Sequence, residues 1–169
     1  VHGGGERGVM LTRGLAIALV VVILDQLSKA AILGHFVANA YDGERLTSFF
    51  NLVLVYNRGV SFGLFNAGAG SGAAADALLF SLAAALIVAG LVYWLRRVTS
   101  ALLAVAIGLI IGGAVGNVVD RIRLGAVVDF LDFHIGSWHW PAFNLADSAI
   151  CVGVAAMLLD GLLLHRETR

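Results

Sequence analysis

The chain has 169 residues, 60% of them apolar and only 13% charged, with a formal net charge of +0. A soluble domain carries about a quarter charged residues, so this composition excludes an ordinary soluble fold and points to a membrane protein. The zero net charge leaves nothing to attract nucleic acid, and a single cysteine, Cys151, rules out an intrachain disulfide.

The chain opens on VHGGGERGV, Gly-rich and polar. Residues 1–12 are expected to be a disordered tail or an appended remnant, and 13–169 a single four-span membrane domain. A span needs roughly 20 mostly apolar residues, each rising about 1.5 Å. Four stretches qualify: 14–33, 77–95, 98–119 and 143–164. The first has no small-x-small cleavage site before a soluble domain, so it reads as a retained span and not a signal peptide.

Lys and Arg near the span ends divide six against five between the two faces, which hardly discriminates. The tight turn holding Arg96 and Arg97 is the better marker. It places both termini and that turn in the cytoplasm, with 34–76 and 120–142 outside.

The first outer stretch contains FNLVLVYN at 50–57, a strand pattern with Phe50, Leu52, Leu54 and Tyr56 on one face. Arg58-Gly59 turns the chain. The apolar segment 60–65 and the Gly/Ala/Ser-rich 66–74 read either as a flap on a hinge or as a plain linker. In the second outer stretch, 126–133 is another strand candidate, so a small sheet is expected on the membrane surface. Trp138, His139, Trp140 and Phe143 would sit at headgroup level. The third span carries Gly108, Gly112 and Gly116, and the fourth Ala146, Ala149, Gly153 and Ala156; these two stripes of small residues are expected to pack together.

The polar residues crowd between the third and fourth spans, where the chain reads GNVVDRIRLGAVVDFLDFHIGSWHWPAFNLAD at 116–147. Polar groups at the edge of hydrocarbon are costly, so such a cluster reads as a functional site. Asn144 is a good helix N-cap with Asp147 at its N3 position, where a carboxylate meets free N–H groups; alone that is a structural cap. Asp129 lies among apolar neighbours in AVVDFLDF, where desolvation favours the protonated form. Two carboxyls on one face, biased in opposite directions, are what a general base and a general acid need.

Asp25 and Lys29 stand one helical turn apart in the first span, either as a self-neutralising pair with Lys29 reaching outward or as support for the site. Arg121 either caps the last carbonyls of its helix or bonds a bound peptide, and Asp120 could pair with a neighbouring arginine. Cys151 has no nearby His or Asn and reads as a packed small residue. His134 and His139 could join Asp129 or Asp132 at a metal, but no HExxH pattern supports this, and no metal or cofactor is expected. A proton-handling transporter would distribute its ionisable groups across the membrane depth, whereas these gather at one face. A presenilin-type protease would carry GxGD, which this sequence lacks.

Five motifs in order, DQLSK at 25–29, YNRGVSFG at 56–63, GNVVDR at 116–121, VVDF at 127–130 and FNLADSAICVG at 143–153, together resemble the lipoprotein signal peptidase (signal peptidase II) family. The resemblance covers about residues 13–165. It implies four transmembrane helices with a small extracytoplasmic β-sheet and flap. The implied activity is that of a bacterial inner-membrane aspartyl endopeptidase, active at the outer face. Its substrate would be a prolipoprotein carrying a diacylglyceryl cysteine, cleaved just before that residue. The resemblance makes Asp129 and Asp147 the catalytic pair. It makes Asn57, Gly59, Asn117, Arg121 and Asn144 the lining of the substrate and inhibitor pocket, with Asp25 and Lys29 in support. Globomycin and myxovirescin are then expected inhibitors, membrane lipid the surroundings, and a monomer the working form.

Overall fold

The computed structural model describes residues 3–39, 42–59 and 73–167, so the segment 60–65 and most of the Gly-rich stretch behind it lie outside the described residues. The described chain forms four helices and four short strands: α1 (Gly3–Asn39), β1 (Gly43–Arg45), β2 (Phe50–Asn57), α2 (Ala73–Leu95), α3 (Ala101–Leu124), β3 (Val127–Ile135), β4 (Trp138–His139) and α4 (Leu145–Glu167). All four helices are long and apolar enough to cross a membrane.

The first helix differs from expectation. Residues 3–12 are helical and continuous with the first span, not disordered, and Met10 and Leu11 pack against the buried cluster of Ala18, Leu95, Val98, Ala104 and Ile107. At 37 residues, α1 spans roughly 55 Å, well beyond the ~30 Å hydrocarbon layer.

The central helix is α3. Ala104, Ala106, Ile107, Gly108, Ile110, Ile111, Gly112, Gly113 and Gly116 are buried along it, whereas α2 and α4 present Leu82, Leu86, Ile87, Leu158 and Leu162 outward, as lipid-facing surfaces do. Ser100 caps its start, with Oγ accepting from Leu103 N and donating to Asp160 Oδ1 on α4. Gly125 ends it in the left-handed region at φ 69°, its N–H donating to Arg121 O, and the chain turns directly into β3.

The glycine stripe faces a different partner from the one expected. A Cβ at Gly108 would strike Gly14, one at Gly112 would lie 2.6 Å from Val21 Cβ, and one at Gly116 would lie 2.5 Å from Asp25 Oδ2. These three glycines therefore seat α1, and Gly116 also borders α4, where an added Cβ would lie 3.5 Å from Ala146 Cβ. The contact with α4 is made one residue on, about 100° around the helix, by Gly113 against Ala146 and by Gly153 against Ala106 and Ile110. Both neighbours thus approach α3 closely, each through its own glycines.

The sheet is antiparallel in the order β1-β2-β3-β4. Between Leu52 and Val55 the register of β2 on β3 shifts: Leu52 faces Leu131, yet Val55 faces Asp129. Three steps on β2 match two on β3, so one extra residue is inserted and every later side chain changes face. The single apolar face expected over 50–57 ends there. Phe50 packs on Phe133 with ring centroids 4.8 Å apart, whereas Tyr56 is 46% exposed and Asn57 is buried. The bulge is what turns Asn57 toward Asp129.

Candidate active site

Five elements converge beneath the sheet. The side chains are Asp25 and Lys29 from α1, Asn57 from the end of β2, Asn117, Asp120 and Arg121 from α3, Asp129 from β3, and Asn144 and Asp147 from the start of α4. All but Arg121 are at least nine-tenths buried. Five elements, drawn from residues 25 to 147, thus bring their polar residues to one place.

The start of α4 is a reciprocal cap. Asn144 Oδ1 accepts from Asp147 N at 2.9 Å, and Asp147 Oδ2 accepts from Asn144 N at 3.3 Å. Because a backbone N–H occupies its oxygen, the Asn144 amide must turn Nδ2 the other way. It donates to Asp129 Oδ1 at 2.7 Å, with Asn117 Oδ1 and Val128 O each 3.2 Å away. Asn144 therefore bonds both carboxyls.

The other two asparagines obey the same logic. Gly59 N donates to Asn57 Oδ1 at 2.9 Å, which leaves Asn57 Nδ2 to donate to Asp129 Oδ2 at 2.9 Å. Lys29 has only donors, and its Nζ lies 3.1 Å from Asn117 Oδ1. Asn117 must then present Nδ2 to Asp147 Oδ1, at 3.0 Å. Each amide is oriented by a donor that cannot reverse, and each aims its NH2 at a carboxylate oxygen.

Lys29 does not reach outward. It is 2% exposed, and its Nζ donates to Asp25 Oδ2 and pairs with Asp120 Oδ2, both at 2.8 Å. Asp120 pairs with this lysine and with no arginine among the described residues. Its Oδ1 accepts from Gln26 Nε2 at 2.9 Å, and its Oδ2 from Val128 N at 3.1 Å, one residue before Asp129. Asp25 Oδ1 accepts from Ala146 N at 3.0 Å, one residue before Asp147. The supporting ions thus hold the backbone on which each candidate carboxyl is mounted. Gln26, whose Oε1 also accepts from Arg123, was legible only as the polar neighbour of Asp25.

Arg121 does not cap its helix. Its Nη2 donates to Gly59 O at 2.9 Å, and its guanidinium lies over the Phe80 ring. Its Nε is buried with no hydrogen-bond partner among the described residues. Burial pushes the Asp129 carboxyl up to about 7, with the nearby Asp147 adding to the rise and donation from Asn57 and Asn144 opposing it.

Asp132 stands apart. It accepts from Asn51 Nδ2 at 2.7 Å and lies 2.9 Å from His139 Nδ1. Partial burial raises its carboxyl, but those two partners outweigh burial and hold it below the ordinary value. Two serines beside the site are occupied locally: Ser28 Oγ donates to Asp25 O, and Ser148 Oγ to Asn144 O. Among the described residues no group of three or more His, Cys, Asp or Glu is disposed to hold a metal.

Comparisons with known proteins identify the family. Residues 17–163 match the family model described as Signal peptidase (SPase) II. The chain is similar to a lipoprotein signal peptidase of Burkholderia vietnamiensis, 50% identical over 157 residues, covering 92% of this chain and 90% of the relative. It is similar to that of Burkholderia thailandensis at 46% identity over 164 residues, covering 97% of this chain and 96% of the relative. A solved structure described as a bacterial membrane enzyme superposes with a TM-score of 0.74 at 29% identity, covering 92% of this chain and 91% of that one. With its two buried carboxyls joined by one asparagine on a four-helix membrane frame, the chain belongs to the signal peptidase II family.

Proposed function

We propose that Asp129 and Asp147 are the catalytic pair of this enzyme. As a signal peptidase II, the protein is a membrane-embedded aspartic endopeptidase. It removes the signal peptide from diacylglyceryl-modified prolipoproteins, cleaving just before the modified cysteine. The observation that carries the assignment is Asn144, whose backbone N–H and side-chain NH2 donate to one carboxyl each.

In this reading Asp147 is the base and Asp129 the acid. Asp147 takes a proton from water as the water oxygen attacks the scissile carbonyl. Protonated Asp129 donates a hydrogen bond to the developing oxyanion, and the departing amine takes from the pair the equivalent of the proton that Asp147 removed from water as the C–N bond breaks, which leaves the pair singly protonated again. The two act as one coupled unit. Asn57, Asn117 and Asn144 line the pocket and hold the carboxyls in aim. Gly59 and Arg121 meet the extended peptide, with the buried Arg121 Nε as a donor for one of its carbonyls.

The site lies at the outer face of the bacterial inner membrane, with both termini in the cytoplasm. The Arg96-Arg97 turn supports this orientation, since Leu95 beside it packs against Gly14 near the start of α1, at the opposite end of the helices from Asp129. The reading also makes the protein a monomer that globomycin and myxovirescin inhibit.

Cleavage of a synthetic diacylglyceryl-cysteine peptide tests the pair. Asp129→Asn and Asp147→Asn should each lower turnover by roughly 10²–10⁴-fold while the purified proteins keep wild-type helicity. Near-normal cleavage by either variant overturns the assignment.

A further inference from the structure

A groove of about 310 Å³ opens beside Asp147, between Trp140 and Phe143 on one side and Ser148, Cys151 and Val152 on the other. Asp147, Ser148, Cys151 and Val152 repeat at i and i+4, so they form one face of α4. Cys151 is exposed, and Val152 is 58% exposed. The same helix continues outward-facing with Val154, Leu158, Leu159 and Leu162. The groove therefore starts at a candidate catalytic carboxyl and runs out onto a hydrocarbon-facing stripe.

We infer that this groove binds the first part of one acyl chain of the substrate's diacylglyceryl group. The inference rests on the proposed catalytic pair and adds where the lipid lies. Whatever fills the groove sits next to the scissile bond, because Asp147 is one of its walls. A peptide helix is about 10–12 Å across with its side chains, too thick for a cleft of this size. A single hydrocarbon chain is thin enough, and the lining offers it apolar contact. The lipid hangs from the cysteine immediately after the cleaved bond, which brings its chain to this point. Val152 and Cys151 then determine how much chain is buried, so they are specificity residues of the reaction.

Two experiments test this. Val152→Trp fills the groove at an exposed position. With long-chain diacylglyceryl peptides it should raise KM about tenfold, the loss of roughly two buried methylenes, with kcat kept and the dependence on acyl length flattened. An unchanged length dependence in folded Val152→Trp overturns the inference. The second experiment needs no change in the groove, because Cys151 is the sole cysteine. In Asp129→Asn protein, a bound diacylglyceryl peptide should slow maleimide labelling of Cys151, whereas the same peptide without acyl chains should not. Equal labelling with the lipopeptide retained on the protein, or equal protection by the unlipidated peptide, overturns it. The catalytic assignment fails separately, if Asp129→Asn cleaves.

Discussion

Asp129 occupies a place where burial and chemistry pull in the same direction. An exposed aspartate is ionised above about pH 4, whereas this one is pushed up to about 7 by burial and by Asp147. Between those values the native state holds a proton that the unfolded chain has released. Native stability should therefore fall as pH rises from about 4 to 7 and level off above, where both states are ionised. Asp129→Asn should flatten that segment of the curve. Thermal unfolding in detergent across pH 4–8 reads it, and an identical slope in the variant contradicts the shift. The same proton is the one the proposed acid donates. The kcat/KM for the diacylglyceryl peptide should decline as pH passes about 7. A rate still climbing at pH 9 would contradict the acid role.

At the scale of elements, close approach of helices decides stability. Gly112 faces α1, and a Cβ there would lie 2.6 Å from Val21 Cβ and 2.7 Å from Ala18 O. The second neighbour is backbone, so a side chain must push α1 away. Gly112→Leu should cost about 1–3 kcal/mol or more and lower the unfolding midpoint in detergent. Gly90 on α2 has nothing within 4 Å, so Gly90→Ala should be close to neutral. Equal midpoints for the two variants would refute the packing. This level also marks how far the sequence is readable. The four spans announce themselves as apolar runs, and 50–57 and 126–133 as strands, because burial in lipid or on a sheet imposes a pattern on many consecutive residues. The partner of a glycine stripe depends on which way α3 is rotated, which no local pattern records. The bulge in β2 is a property of pairing with β3, so alternation within FNLVLVYN cannot show it. The strands β1 and β4 have three and two residues, too few for any periodicity. The capping box at Asn144 and Asp147 is local, and it was legible.

Across the whole molecule, one buried ionic network joins the elements that carry the site. Lys29 on α1 bonds Asp25 beneath the start of α4, Asp120 beneath the start of β3, and Asn117, which bonds Asp147. The pair Asp25 and Lys29 was visible at its i, i+4 spacing; its third member was not, because Asp120 lies more than ninety residues away in sequence. Two carboxylates share this one cation, and all three side chains are almost fully inaccessible. Removing the lysine leaves both carboxylates without their counter-charge in a medium that solvates them poorly, a loss of about 3–5 kcal/mol. Lys29→Met should therefore destabilise strongly. Adding Asp25→Asn and Asp120→Asn to it should recover part of the loss, since no charge is then stranded. Unfolding midpoints of the single and triple variants, measured at low and high salt, decide the matter. Salt should change little, because buried pairs are screened far less than surface ones. Wild-type stability in Lys29→Met would contradict the role of the lysine as the buried counter-charge. A triple variant that folds yet cleaves poorly would show the second task of this lysine. Without it Asn117 Oδ1 keeps only the longer contact from Asn144 Nδ2, at 3.2 Å, so the amide is held less firmly in the sense that gives Asp147 its donor.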